Sequence, residues 1–358
     1  MVRRFKIHTI FCLIGLFLWF PLNDLSASDP DTEIAHEEEA FNPSEYILDH
    51  IADAHEFHIL TLPDGHHVSV YLPVILYSKF SGFHMFLSSK LAHGHTYRDF
   101  KIETEGELKG KIVEHLESGE IYKPLDFSIT KIVFTMLLAA GLLMWLFISL
   151  GRSYRKSGIS EPKGLQGFLE PLILFIRDDI AVVTIGKEKH EKYMPYLLTA
   201  FFFIWFNNLI GIIPFFPFGA NVTGNIAVTF TLAACTMLIT NFSGNKHYWR
   251  HVFNTPGVPW WLKVPLPLMP LVELIGVIAK PFALMIRLFA NITAGHIIIL
   301  SLISLIFIFK AYIAFVGPAT VIFVLFMDMI ELLVALLQAY VFTLLSSLFI
   351  GLAVKEEH

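Results

Sequence analysis

Residues 271–309 read LVELIGVIAKPFALMIRLFANITAGHIIILSLISLIFIF, and residues 318–354 read PATVIFVLFMDMIELLVALLQAYVFTLLSSLFIGLAV. A helix needs about 20 predominantly apolar residues to cross a bilayer, so each segment is long enough to span one. Residues 264–354 carry only six charged side chains in 91 positions. The two segments therefore predict two long antiparallel membrane helices, 271–309 and 318–354.

The rest of the chain is also apolar. Of its 358 residues, 55% are hydrophobic and 16% are charged, whereas a soluble domain carries about 25% charged residues. We predict an all-α polytopic membrane protein with about five transmembrane helices, the other three at residues 130–150, 195–213 and 225–241. The net charge of −5 argues against a nucleic-acid binder. The two cysteines indicate neither a disulfide framework nor a cysteine zinc site.

Residues 164–186 have a different pattern. Apolar side chains such as Phe168 and Leu172 lie on one side of a helical projection, and charged ones such as Arg177 and Asp178 lie on the other. A helix of this kind lies in the membrane surface without crossing it. We therefore predict one interfacial amphipathic helix.

The N-terminal third differs in composition. A basic start, apolar residues 10–20 and a run of small residues predict a signal peptide at residues 1–28, with an uncleaved first membrane helix as the alternative. Residues 29–126 hold nineteen Asp and Glu, seven Lys and Arg, and ten of the sixteen histidines. A turn signal, Pro63-Asp64-Gly65, and alternation over residues 68–77 predict a small α+β extracytoplasmic domain with a helix near residues 44–55. Because the histidines lack zinc-motif spacing, we expect this domain to be metal-free.

Basic residues predict the orientation of the remaining membrane domain, residues 127–358. Twelve Lys and Arg fall in the loops on one side of the predicted spans, and only Lys310 falls in the short loops on the other. Cytoplasmic loops carry the excess of Lys and Arg. We therefore predict that the N-terminal domain lies outside and that the C terminus is cytoplasmic.

Ionisable residues inside the two long helices mark a candidate functional path, because charge is costly in hydrocarbon. Helical spacing sorts them into stripes. The stripe on the first helix contains Glu273, Lys280, Arg287 and Asn291, and that on the second contains Asp328, Glu331 and Gln338. His296 falls on nearly the opposite face of the first helix. If His296 lies level with Glu331, the same register brings Gln338 within one turn of Arg287.

Arg287 cannot lose its proton and so cannot relay one. At a rise of about 1.5 Å per residue, Glu331 lies about 13 Å from it in depth and Glu273 about 21 Å. We therefore predict that its carboxylate partner belongs to another chain. The alternative is an arginine bonded to helix carbonyls and Gln338, with a role in assembly only.

His296 and Glu331 can both titrate, and imidazole exchanges protons near neutral pH. Paired at one depth on the outward side of Arg287, they suit a proton access path; the alternative is an ion pair that only holds the helices together. Lys280 is equally explained by snorkelling to the headgroups, and Asp328 by an interfacial position.

Residues 280–296, KPFALMIRLFANITAGH, resemble the signature helix of subunit a of F-type ATP synthases. Similar matches are FIRDDIA at 175–181, NNLIGIIP at 207–214, LLQAY at 336–340 and KEEH at 355–358. The resemblance covers about residues 130–358. The outer domain is an extension that shorter family members lack.

The resemblance implies a subunit that conducts protons through two half-channels to and from the carboxylates of a c-subunit ring, driving rotation and ATP synthesis. It implies that Arg287 separates the half-channels. His296 and Glu331 match the outer pair, in the reverse order from many bacterial members. The other path residues that the resemblance implies are Asn208, Asn291, Gln338 and, near the cytoplasmic exit, Glu273.

The implied location is the bacterial cytoplasmic (inner) membrane. The implied partners are the c ring, the b subunits of the peripheral stalk, the remaining Fo and F1 subunits and the lipid bilayer. The chain needs no cofactor, metal or catalytic site of its own, and it lacks a phosphate-binding loop. A secondary transporter would show internal repeats, which this sequence lacks, and a membrane sensor would need a cytoplasmic output domain. The sequence leaves the role of the outer domain and the choice between proton and sodium open.

Overall fold

The structure, a computed structural model, describes residues 43–61, 67–103, 106–116, 119–157, 164–213, 217–254 and 268–355. The predicted signal peptide and the turn signal at residues 63–65 lie outside these ranges.

The N-terminal part, residues 43–126, combines one helix with short strands. Helix α1 spans Pro43–Ile51 and ends before the limit predicted at residue 55. The strands are β1 Glu56–Thr61, β2 His67–Tyr71, β3 Pro73–Ser78, β4 Gly82–Leu87, β5 Phe100–Ile102, β6 Ile112–His115, β7 Ile121–Tyr122 and β8 Leu125–Asp126. They pair antiparallel in the orders β1-β2, β4-β3-β8 and β5-β6-β7.

Strand alternation builds the core of this part. Successive side chains of a strand point to opposite faces, and β3 accordingly buries Val74 and Leu76 while Tyr77 is exposed. The buried side chains of β3 pack against Phe100 and Ile112 from the β5-β6-β7 sheet. The predicted alternating segment, residues 68–77, is thus two strands, which meet at Leu72.

Residues of the N-terminal part cap the first membrane helix. The Lys131 N–H donates to the Ala54 carbonyl over 2.8 Å, and the Ile132 N–H donates to Asp53 Oδ1 over 3.1 Å. The first N–H groups of a helix have no partner within it, so these bonds satisfy two of them. The Phe57 ring packs edge-to-face on Phe134 at 5.6 Å. These contacts tie the N-terminal part to the start of the helix.

Nine α- and π-helical segments and one 3-10 turn, Lys310–Tyr312, follow in the described residues. The nine segments are α2 Lys131–Ser157, α3 Leu165–Phe175, a π-helical turn Ile176–Ala181, α4 Val182–Ile185, α5 His190–Ile212, α6 Ile226–Ser243, α7 Lys246–Phe253, α8 Leu268–Ile308 and α9 Ile313–Val354. Within these ranges, five helices are long and apolar enough to cross a membrane: α2, α5, α6, α8 and α9. The chain is therefore a multi-pass membrane protein.

Helix boundaries at proline differ from the predictions. Helix α5 begins at His190, five residues before the predicted start at Pro195, and α9 begins at Ile313 and continues through Pro318. The added residues of α5 include His190, Glu191 and Lys192, which apolar composition does not mark as part of a span. The added residues of α9 are apolar, and the helix continues through Pro318 because membrane helices tolerate proline where neighbouring groups satisfy the freed backbone.

The segment predicted as a single amphipathic helix, residues 164–186, contains the π-helical turn. This turn buries Ile176 and Ile180, and the following α4 packs against α9. Gly351 of α9 makes this contact possible, because a Cβ there would overlap the Thr184 carbonyl oxygen. The close approach fixes α4 against the end of α9.

The membrane core lies where α9 packs along both α5 and α8, while α6 packs on α8. Its largest fully buried side chains come mainly from α5, α8, α9 and the π-helical turn. They include Leu197, Phe201, Phe202, Ile204, Leu288 and Ile350. This packing sets the register between α8 and α9, which positions the ionisable residues.

Candidate functional site

His296 and Glu331 form a buried ion pair between α8 and α9. His296 Nδ1 lies 3.5 Å from Glu331 Oε1, and the two side chains are 16% and 6% exposed. The helix register predicted from the sequence thus brings the two together. Gly295 leaves room for this approach, since a Cβ there would lie only 3.2 Å from Glu331 Oε1.

Two cavities adjoin the pair. The larger, about 180 Å³, is lined by His296, Glu331 and Asp328 together with apolar side chains of α8 and α9. The smaller, about 10 Å³, lies between the same pair and Asn208 and Asn221. A cavity of roughly 10–15 Å³ with polar walls can hold one water, so this volume is at the lower limit. The pair therefore lies between a larger, mostly apolar cavity whose walls include three ionisable side chains and a much smaller one.

Glu331 has an open hydrogen-bonding position. Its Oε2 atom is buried and forms no hydrogen bond within the part of the chain that the structure describes. A buried carboxylate oxygen is normally hydrogen-bonded, so this atom can accept a bond from water or another donor. The pair therefore leaves one acceptor position open.

Buried amides extend the polar region from the pair. Asn208 of α5 accepts a hydrogen bond from the Thr223 hydroxyl, and its Nδ2 lies 3.5 Å from the Ala335 carbonyl of α9. Gln338 is buried on α9, seven residues beyond Glu331. The two buried amides, Asn208 on α5 and Gln338 on α9, therefore extend the polar region away from the pair.

Arg287 and Asn291 lie on a different surface. Both are exposed on α8, one helical turn apart, among exposed apolar side chains such as Phe282 and Ile286. In the described ranges, Arg287 forms no hydrogen bond or ion pair. Gln338 is buried instead of bonding to it, so the sequence-based alternative of an arginine held by Gln338 is not what the structure shows.

Glu273 pairs with a residue that the sequence analysis missed. His251 Nδ1 lies 4.0 Å from Glu273 Oε1, with the side chains 46% and 27% exposed. His251 lies on α7, a short helix between two spans that apolar periodicity does not reveal. Its signal is two histidines four residues apart, His247 and His251, which share a face only if the segment is helical.

Lys280 and Asp328 lie in surroundings that differ from each other. The sequence was equally consistent with snorkelling to the headgroups for Lys280 and with an interfacial position for Asp328. Lys280 is exposed on α8, with its Nζ 6.0 Å from the centre of the Phe349 ring. Asp328 is half-buried and lines the larger cavity beside the His296–Glu331 pair.

Residues 133–351 match the protein family described as ATP synthase A chain. This range contains α2, α5, α6, α8 and α9, together with both ion pairs of α8. The chain belongs to the ATP synthase subunit a family. Subunit a is the ion-translocating subunit of the synthase and has no catalytic site of its own.

Curated relatives from several bacteria share this family. The chain is 46% identical over 252 residues to ATP synthase subunit a of Chloroherpeton thalassium, covering 68% of this chain and 72% of the relative. It is 48% identical over 247 residues to ATP synthase subunit a 2 of Chlorobaculum tepidum, covering 66% and 67%. It is 42% identical over 260 residues to subunit a of Myxococcus xanthus, covering 71% and 82%.

The N-terminal part of this chain matches a second family, a domain of unknown function, over residues 46–127. Its titratable groups are tied internally: His55 Nε2 lies 3.1 Å from Asp126 Oδ2, and buried Glu114 accepts hydrogen bonds from Ser78 and Ser81. Burial raises the pKa of Asp126, but hydrogen bonds from His55 and Ser128 outweigh it and hold the pKa below its usual range. The residues that the structure describes contain no group of three or more metal-ligating side chains.

Proposed function

We propose that this chain conducts protons through two offset half-channels to and from the carboxylates of a c-subunit ring, and so drives rotation and ATP synthesis. The observation that supports this most is Arg287, a permanent charge on the exposed surface of a membrane helix without an ion pair in the described residues. A charge within a bilayer needs a partner. A ring carboxylate that faces α8 supplies one.

Arg287 has two effects in this proposal. Beside its guanidinium, the ionised form of a passing carboxylate is favoured, so the ring site releases its proton there. Because arginine cannot deprotonate, it also prevents protons from passing directly between the half-channels. Asn291, one turn away on the same exposed surface, offers hydrogen bonds to the same ring face.

The outer half-channel runs from the larger cavity to the His296–Glu331 pair. His296 takes a proton from water in that cavity and passes it to Glu331, whose second oxygen is open. Buried Asn208 and Gln338 continue the polar lining towards the level of Arg287. The reversed order of His and Glu retains one imidazole and one carboxylate at this depth.

The inner half-channel ends near Glu273. This residue lies fourteen positions before Arg287 on α8, about 21 Å along the helix axis, in the direction opposite to His296. Its carboxylate is partly exposed, as an exchange site at a channel mouth requires.

The proposal includes a location and partners. The chain spans a bacterial inner membrane with residues 29–126 outside, the C terminus in the cytoplasm and residues 164–186 at the cytoplasmic surface. Arg177 and Asp178 bind each other at 2.8 Å on the exposed side of that segment, which supports an interfacial position. The partners are the c ring, the b subunits and the remaining Fo and F1 subunits.

Replacement of Arg287 tests the proposal. In membrane vesicles, Arg287→Ala is expected to abolish proton-driven ATP synthesis while the complex still assembles, because the next cation on this stripe, Lys280, lies seven residues away, about 10 Å along the helix axis. Arg152→Ala, at the exposed end of α2, is the matched control and is expected to leave synthesis unchanged. Synthesis at the normal rate in the Arg287→Ala complex would refute the assignment.

A further inference from the structure

Helix α7 holds His251 against the first turns of α8. Asn245 caps α7 by accepting a hydrogen bond from the Tyr248 N–H over 2.8 Å. Its side-chain amide donates to the Lys355 carbonyl over 2.8 Å, and its own N–H donates to the Ala353 carbonyl over 3.1 Å. These bonds fix α7 to the end of α9. The fixed position of α7 therefore sets the distance of 4.0 Å between His251 Nδ1 and Glu273 Oε1.

A small cavity lies between α6, α7, α8 and α9, near this pair. Its volume is about 30 Å³; its walls are mostly apolar, and its polar lining comes from Thr240, Asn241, Tyr248 and Lys280. The Tyr248 hydroxyl donates to Asn241 Oδ1 over 3.0 Å. A water needs roughly 10–15 Å³ and two to four polar partners, so the cavity has both the volume and the lining for one.

Thr240 gives an independent sign that this cavity binds water. Its side chain is 9% exposed, and its hydroxyl has no hydrogen-bond partner within the described residues. Buried hydroxyls are almost always hydrogen-bonded, to protein or to ordered water. Since Thr240 lines the cavity, a water there would satisfy it.

The cavity lies within one helical turn of the pair, although neither His251 nor Glu273 lines it. Burial raises the pKa of the Tyr248 hydroxyl, and the nearby charge of Glu273 raises it further. Val277, one turn beyond Glu273 on α8, also lines the cavity. Lys280, at the far wall, is seven residues from Glu273 and seven from Arg287. The polar groups thus follow α8 from its beginning towards Arg287.

We propose that His251 and Glu273 form the titratable mouth of the inner half-channel, and that water bound at Thr240 links this mouth to the path past Lys280 to Arg287. The inference rests on the proposed function. During synthesis, a proton released by a ring carboxyl passes through this water to the Glu273 carboxylate, giving the carboxylic acid. Glu273 then transfers it to neutral His251 Nδ1, and the imidazolium releases a proton to bulk water.

Other charged or titratable groups lie on the elements that pack around the pair. They are Lys246, His247, Tyr248 and Arg250 on α7, Lys280 on α8 and Lys355 after α9. Because coupled groups titrate together, the pH profile of synthesis reports the whole group and is compared between variants.

The test uses the whole synthase in inverted vesicles, whose outer medium contacts the cytoplasmic face. His251→Ala is expected to lower proton-driven synthesis roughly tenfold, less than the typical 10²–10⁴ for an acid–base group, because water reaches this half-exposed site. Imidazole added to the outer medium is expected to restore most of the rate. His190→Ala, a histidine with Nδ1 2.9 Å from the Lys187 carbonyl, is the control and should show neither loss nor rescue.

A second pair of variants tests the water site. Thr240→Val keeps the shape of the side chain but removes the hydroxyl, and it is expected to slow synthesis roughly threefold, as expected for one lost hydrogen bond in a water path. Thr240→Ser keeps the hydroxyl and should retain the normal rate. Equal rates in the two variants would contradict a role for this hydroxyl.

The outcomes separate this inference from the proposed function. A normal rate and an unchanged pH profile in His251→Ala, with Arg287→Ala still inactive, would overturn the inference and leave the proposed function in place. A loss that imidazole does not restore would also overturn it, since the role of His251 would then be structural. Normal synthesis in Arg287→Ala would overturn the proposed function itself.

Discussion

Two histidine–carboxylate pairs of this chain differ in how completely the carboxylate is bonded. In the N-terminal part, Asp126 Oδ2 lies 3.1 Å from His55 Nε2, and Oδ1 accepts from the Ser128 N–H over 2.8 Å. In the membrane part, Glu331 Oε1 lies 3.5 Å from His296, while Oε2 is buried without a partner in the described residues. The same residue types thus form a closed structural contact in one place and an open site beside two cavities in the other.

Their surroundings explain the difference. The His55–Asp126 pair lies where β8 leads into α2, beside the hydrogen bonds that the Ala54 carbonyl and the Asp53 carboxylate accept from the start of that helix. The bonds of this pair help to hold His55 to the end of β8. The His296–Glu331 pair joins two helices that also pack against each other through other residues. In the proposed function, its polar groups serve proton exchange.

Variants of the His296–Glu331 pair give the largest effect that distinguishes a proton-exchange pair from a structural one. His296→Ala and Glu331→Ala are each expected to lower ATP synthesis roughly a hundredfold, the lower limit for an acid–base group. The double variant His296→Glu with Glu331→His keeps an imidazole and a carboxylate at one depth, so it should retain more activity than either single variant. Synthesis rates in vesicles measure this, with His55→Ala as a control near the normal rate.

Equal losses in both single variants and in the exchange would contradict pairing as the reason for the activity. A large loss in His55→Ala would contradict the distinction between the two pairs.

The sequence was sufficient to predict the His296–Glu331 pair but not the second pair of α8, His251–Glu273. Charge in hydrocarbon is costly, so the few ionisable residues of α8 and α9 stood out, and helical periodicity related their depths. His251 was missed because α7 is a short polar helix between spans. Its approach to Glu273 depends on the cap at Asn245 and the bonds to the end of α9, which no periodicity encodes.

Local backbone irregularities also could not be predicted. The π-helical turn at Ile176–Ala181 leads into α4, which packs against α9 where Gly351 allows the backbones to meet. Helix α5 begins with the polar residues His190, Glu191 and Lys192, whereas α9 begins with apolar residues 313–317 ahead of Pro318. Apolar composition reports the hydrocarbon-spanning part only, so it sets the number of spans better than their ends.

Gly295 allows a smaller test of how closely the membrane pair must approach. In Gly295→Ala, the new Cβ would lie 3.2 Å from Glu331 Oε1, so the carboxylate must move by a few tenths of an ångström. We expect synthesis to fall roughly threefold, since misplacement by about 1 Å can cost a hundredfold. Gly276→Ala, on the same helix with no atom near its Cβ, is the control. An unchanged rate in Gly295→Ala would show that the pair tolerates displacement.

The smallest expected effect is on the stability of the N-terminal pair. Asp126→Asn should weaken the junction by roughly 1 kcal/mol, because it replaces a charge-assisted contact at a partly exposed site. Since folding lowers the pKa of Asp126 from its ordinary value of about 3.9, its contribution is complete above that pH and is lost as the pH falls through the lowered value. Hydrogen-exchange protection of residues 125–132 in the intact complex measures this, with Glu120→Gln as an exposed control. Protection in the normal chain should fall in acid towards that of Asp126→Asn, while ATP synthesis at neutral pH stays the same in both. A junction equally protected in both chains at neutral pH would show that the bonds from Asp53 and Ala54 alone hold it.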